Sequence, residues 1–143
     1  MNVGLGTDGA ASNNDLDMFG ELQLAALVAK AVAEDASALP AAAALEIATM
    51  GGARAMGLDR ELGSLEPGKY ADMAAVSMDS LSTLPVNNPL SHLAYAAQAH
   101  HVSDVWCGGK ALLRGGELKT LDVAAIKQQA ISWQQTFAET EQS

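Results

Sequence analysis

Six residues near the start of the chain, Gly4-Leu5-Gly6-Thr7-Asp8-Gly9, pose the first chemical question. Gly4, Gly6 and Gly9 spell G-x-G-x-x-G, the spacing of a loop that cradles a dinucleotide phosphate. Such a loop needs a full strand before it and a helix starting at its last glycine. Only Met1 to Val3 precede Gly4, and Gly9 is followed by Ala10, Ala11, Ser12, Asn13, Asn14 and Asp15, so a helix begins late. In the competing reading the glycines shape a strand end that presents Asp8. An acid directly after a short apolar strand stands where α/β folds keep their active sites, at the carboxyl ends of parallel strands. Aspartate in a loop also caps nearby amides. Spacing alone leaves both roles open for Asp8.

The remaining polar candidates read as structural. His100 and His101 are adjacent, so their side chains diverge on a helix or a strand, and His92 lacks an i+4 partner. These histidines are expected to be solvated or capping. Cys107 falls in an expected strand beside Trp106, with no neighbouring base to activate it, and reads as core filler. Ser12 has no G-x-S-x-G elbow around it and is expected to bond the loop backbone. Arg54 and Lys69 are single cations, expected to be paired or solvated.

Composition narrows the function classes. A length of 143 residues, 49% of them hydrophobic, suits one ordinary domain. The formal net charge of −9, with only eight scattered Lys and Arg, opposes nucleic-acid binding. One cysteine rules out an internal disulfide and suits a reducing compartment. The Ala-rich stretches are broken by Glu34, Asp35, Pro40 and Glu46, so no membrane span is expected, and with no signal peptide visible the cytoplasm is the expected location.

The elements that must position these residues follow from periodicity. Met1 to Asp8 reads as a short buried strand, followed by a loop and a helix from about Leu16 to Glu34, with Asn14 or Asp15 as N-cap. A second helix starts near Pro40, runs toward Gly51 and Gly52, and continues briefly to Gly57. From Gly63 the texture changes. A turn at Glu66-Pro67-Gly68-Lys69 lies between two short strands, a helix covers Pro89 to Ala99, and Val102 to Cys107 pairs with Lys110 to Arg114 across Gly108-Gly109. Gly115-Gly116 marks the next reversal. A last helix from about Asp122 to Glu139 places Val123, Ile126, Ala130, Trp133 and Phe137 on one stripe that calls for a covering surface. Residues 63–118 are thus expected to be mostly antiparallel β-structure with one helical insertion.

With these residues in view, GLGTDGAASNNDLDMFGEL closely resembles the last barrel strand and following loop of the amidohydrolase superfamily. Its nearest likeness is to the branch of 5'-methylthioadenosine and S-adenosylhomocysteine deaminases, whose relatives include triazine hydrolases. ATMGGARAMGLDRELGSLEPGKYADMAAV resembles the superfamily's exit from the barrel into its small β domain, and PLSHLAYAAQAHHVSDVWCGGKALLRGGELKTLD is similar to the tail of the same branch. The resemblance implies an α/β fold. Residues 1–62 would be the C-terminal end of a metal-dependent (β/α)8 barrel, with its last strand, metal-site loop and helices. Residues 63–143 would be part of a small β-sandwich domain with a C-terminal helix.

The same resemblance implies a function. Asp8 matches the metal-site aspartate, with catalytic, metal-binding and substrate-contacting roles, and the implied cofactor is a divalent metal, zinc first. The implied reaction releases ammonia from an adenine nucleoside such as 5'-methylthioadenosine, S-adenosylhomocysteine or adenosine. The family's H-x-H pair, its further histidines and its proton-relaying glutamate have no counterpart here, so the remaining ligands are absent from the chain. One strand of eight cannot close a barrel. Two expectations follow, with Met1 either a genuine start or the mark of a truncation. The chain is the C-terminal portion of such a deaminase, inactive alone and completed by the missing barrel portion. Alternatively it is a catalytically empty module that associates with a partner, such as another copy of itself.

Overall fold

The structure, a computed structural model, describes residues 1–140. Helix α1, Met18–Ala33, starts where Asp17 accepts the Phe19 amide at 2.8 Å. The cap is therefore Asp17 rather than Asn14 or Asp15. The other Asp17 oxygen accepts the Ala99 amide at 3.1 Å, and this long-range bond favours the later cap. Leu22 and Ala26, one turn apart on α1, are buried against Ala41, Ala44 and Ala94. Helix α2, Ala41–Glu46, follows Pro40, and the backbone then widens into a π turn, Ile47–Gly51, before α3, Gly52–Met56. Gly57, at φ 71°, ends the run in the left-handed region where glycine carries no steric cost.

The expected first strand does not form. Residues 1–9 adopt no regular secondary structure, and Met1, Val3 and Asp8 are exposed rather than buried. A strand exists by virtue of its ladder partners, and the four described strands pair only with one another. Residues 1–9 instead pass over the π turn. A Cβ on Gly4 would stand 2.8 Å from Gly52 Cα, and a Cβ on Gly51 would run into the Val3 carbonyl oxygen. Glycine at both places lets two backbones approach closely. Gly6 and Gly9 face open space.

The second half holds a four-stranded antiparallel sheet in the order β1-β2-β3-β4, formed by Met73–Val76, Val102–Cys107, Lys110–Arg114 and Glu117–Leu118. The β2–β3 hairpin turns at Gly108 and Gly109, with φ of 55° and 78°, the positive pair that a two-residue type I′ turn needs. Gly115 and Gly116 repeat the device before β4. At the expected Pro67-Gly68 turn the Lys69 amide donates to Glu66 O at 3.2 Å, but only β1 follows it and no strand precedes it. Between β1 and β2 lies α4, Pro89–Tyr95, capped by Asn88 through the Ser91 amide at 3.1 Å. It stops short of Ala99, which opens a 3-10 turn, Ala99–His101. Cys107 ends β2 beside the hairpin turn and is exposed, so it is not core filler. Helix α5, Val123–Thr140, leaves Val123, Ile126, Trp133 and Phe137 exposed. Residues 141–143 of the segment expected over 63–143 lie outside the described residues. Among the described residues no helix is long and apolar enough to cross a membrane.

Candidate functional site

Asp8 lies near the end of the irregular N-terminal segment, at φ 60°, a region that Asp and Asn tolerate better than most residues. Its carboxylate is held from its own loop. The Gly9 amide donates to Oδ1 at 2.7 Å, and the Ser12 hydroxyl donates to Oδ2 at 3.1 Å. A tight turn brings Ser12 back, with the Ser12 and Asn13 amides both donating to Gly9 O, at 3.0 and 2.9 Å. Asn13 Nδ2 then donates to Glu21 Oε1 at 2.7 Å and ties the loop to α1. Ser12 therefore bonds the Asp8 side chain through its hydroxyl as well as the loop backbone through its amide. Its i+4 spacing from Asp8 was the available sequence signal; the Asn13–Glu21 link had none.

Among the other polar candidates, His92, His101, Arg54 and Lys69 are held by local partners. His92 Nδ1 lies 3.2 Å from the backbone oxygen of Asn88, the cap of its own helix. His101 is buried, with Nδ1 accepting the Gln98 amide at 3.1 Å and Nε2 lying 3.1 Å from Ser82 Oγ. This resembles a nucleophile and its base in distance only. An imidazole whose Nδ1 accepts an amide carries its proton on Nε2, so it donates to Ser82 and has no lone pair with which to activate it. Arg54 pairs with Glu46 at 2.7 Å. Lys69 Nζ donates to Asp59 O, Leu62 O and Ser64 Oγ at 2.7, 3.3 and 2.7 Å. Lys69 is largely buried by these bonds, whereas the Arg54–Glu46 pair lies at the surface.

A cleft of about 420 Å³ opens between the helices and the sheet, lined by Met18, Phe19, Leu22, Leu45, Met73 and Leu93 among others, and Asp8 is not on its wall. The apolar volume and the candidate chemistry are thus in different places. Each Asp8 oxygen spends one of its acceptor positions on a loop donor, so each retains another. A carboxylate so held suits zinc as one oxygen ligand, but a catalytic zinc takes three protein ligands. Among the described residues no three His, Cys, Asp or Glu side chains gather into a further site. Asp8 fits as one ligand, and the described residues do not complete the set.

Known proteins share this arrangement of elements. A 5-methylthioadenosine/S-adenosylhomocysteine deaminase from Teredinibacter turnerae is 52% identical over 94% of this chain and 30% of its own length. A protein of the same name from Saccharophagus degradans is 48% identical over 94% of this chain. The crystal structure of a zinc-bound adenosine deaminase from Xanthomonas campestris superposes with a TM-score of 0.92 at 50% identity, covering 97% of this chain and 32% of that one. A zinc-complexed atrazine chlorohydrolase from Arthrobacter aurescens does so with a TM-score of 0.82 at 30% identity, over 92% and 29%. The chain therefore spans about 30% of the length of the curated relatives it matches. The sequence model of the amidohydrolase family matches residues 1–112, through the helices and into β3. With most of its length matched by that family's model, this chain belongs to the amidohydrolase family.

Proposed function

We propose that this chain is the C-terminal portion of a metal-dependent deaminase that releases ammonia from an adenine nucleoside of the 5'-methylthioadenosine, S-adenosylhomocysteine or adenosine type. The observation that carries the reading is the likeness of 94% of the chain to proteins named for that activity. In this reading residues 1–62 close a (β/α)8 barrel, and the sheet with α5 belongs to a small β domain. The unpaired first segment is then the last barrel strand, whose ladder partners lie in the portion of the enzyme outside this chain. The cofactor is zinc, which when bound supplies the Lewis acidity that makes water nucleophilic near neutral pH. Asp8 would hold that ion through one oxygen, and its carboxylate would orient the attacking water and accept its proton. The proton passes to the departing amino group, oxygen replaces nitrogen on the ring, and ammonia leaves.

The test joins this chain to what it lacks. A chimera in which it replaces the matched segment of the Teredinibacter turnerae relative is expected to convert the adenine ring to hypoxanthine in a zinc-dependent manner. The 143-residue chain alone is expected to show no turnover with zinc or manganese. Turnover by the purified chain alone, or a folded, zinc-loaded chimera inert on all three nucleosides, would remove the proposal.

A second reading is favoured by the exposed apolar faces. Leu24, Leu27, Val28 and Val32 on α1, and the α5 stripe, lie open in this chain. A catalytically empty module would cover them with another copy of itself. Sedimentation with and without the missing barrel portion separates the readings, since self-association that this portion does not displace supports the module.

A further inference from the structure

We infer that Ser12 is a positioning residue for Asp8, setting the rotation of the carboxylate so that one oxygen keeps its free acceptor position for a divalent cation and the other for the attacking water. This rests on the proposed reading of Asp8 as a metal-site aspartate. The Gly9 amide holds only Oδ1, at 2.7 Å, and one bond leaves a carboxylate free to turn about its last torsion. The Ser12 hydroxyl takes Oδ2 at 3.1 Å, and with both oxygens held the plane of the group is set. The loop does not need that hydroxyl for its own closure. Backbone bonds from Ser12 and Asn13 to Gly9 O already close the turn, and the Asn13–Glu21 bond at 2.7 Å anchors it to α1. The hydroxyl therefore has one evident use, to transmit the fixed position of α1 to the Asp8 carboxylate. Donors behind a ligand of this kind usually change metal affinity or activity about 10–100-fold when removed.

The experiment uses the full-length chimera and its Ser12→Ala, Ser12→Thr and Asp8→Asn variants. Zinc affinity is read by competition with a chelator, kcat and KM are separated, and folding is checked by near-ultraviolet circular dichroism. Ser12→Ala is expected to weaken zinc about 10–100-fold and to lower kcat with KM within about 2-fold, and Ser12→Thr, which keeps the hydroxyl, to restore both. Unchanged zinc affinity in Ser12→Ala, alongside its loss in Asp8→Asn, would overturn the role of Ser12 and leave that of Asp8 standing. Equal losses in Ser12→Ala and Ser12→Thr would also overturn it, because the side chain would then act by packing. Wild-type affinity and turnover in Asp8→Asn would overturn both readings.

Discussion

At Gly51 a single methyl group decides where the first residues of the chain can lie. A Cβ there would run into the Val3 carbonyl oxygen, whereas one on Gly6 would meet nothing. Gly51→Ala is therefore expected to lift residues 1–9 off the helix, seen as faster amide exchange in that segment, while Gly6→Ala leaves exchange unchanged. Lys69 carries a second residue-level prediction. Its ammonium, on a side chain only 11% exposed, serves two carbonyls and a hydroxyl, so Lys69→Met leaves those acceptors short of a donor and should cost about 1–3 kcal/mol. An unchanged denaturation midpoint would contradict this. In the same loop the Ser64 hydroxyl, and after it the Lys69 charge, hold the Glu66 carboxyl below its ordinary 4.5. A lowered folded value means the stabilisation is present above the unfolded value and lost as pH falls through the folded one. Ser64→Ala should move the Glu66 midpoint upward, toward 4.5, in an NMR titration. The structural roles of Arg54 and Lys69 were legible in the sequence because isolated cations usually find local acceptors. Only half of the Asp8 environment was legible, since Ser12 lies four residues away but Asn13 and Glu21 meet only after α1 has docked.

Helix α1 shows how one element joins the loop to the rest of the fold. Asp17 serves two amides, Phe19 within the helix and Ala99 beyond α4. Asp17→Ala should cost more than the ~1 kcal/mol of an ordinary cap, because the Ala99 amide also loses its acceptor. Asp17→Asn, which keeps an acceptor oxygen, should retain most of the stability, and equal melting temperatures for Asp17→Ala and the wild type would contradict the double role. At this scale the hairpin was the most legible element, with β2 and β3 at their expected bounds. Gly108-Gly109 readily supplies the two positive φ angles that a two-residue hairpin turn needs, so the signal was local. The first expected strand finds no partner among the described residues of this chain for the opposite reason. Val3, Leu5 and Thr7 alternate along residues 1–8 as a strand's would, but pairing depends on partners that a local pattern cannot show. The π turn, Ile47–Gly51, left no periodic trace because it adds a single residue to one helical turn.

The molecule as a whole has a small core. Among the described residues its buried hydrophobic side chains are Leu22 and the alanines at 26, 41, 44, 53 and 94, while Leu27, Val32, Trp133 and Phe137 stand open. Alanine removes little apolar area from water, so most of the stabilising burial available to α1 and α5 is not realised within this chain. The isolated chain is therefore expected to associate with rising concentration, and sedimentation as a 14.7 kDa monomer at all concentrations would count against this. The same open faces agree with a segment that completes a larger enzyme, and that claim turns on Asp8. Its most direct test is kcat of the chimera with Asp8→Asn, measured at matched zinc content. Asparagine keeps the size and the capping oxygen but not the charge or the basicity, so kcat is expected to fall on the order of 10² to 10⁴. If Asp8 only caps its loop, asparagine serves nearly as well, and near-normal turnover at full zinc content would contradict the account.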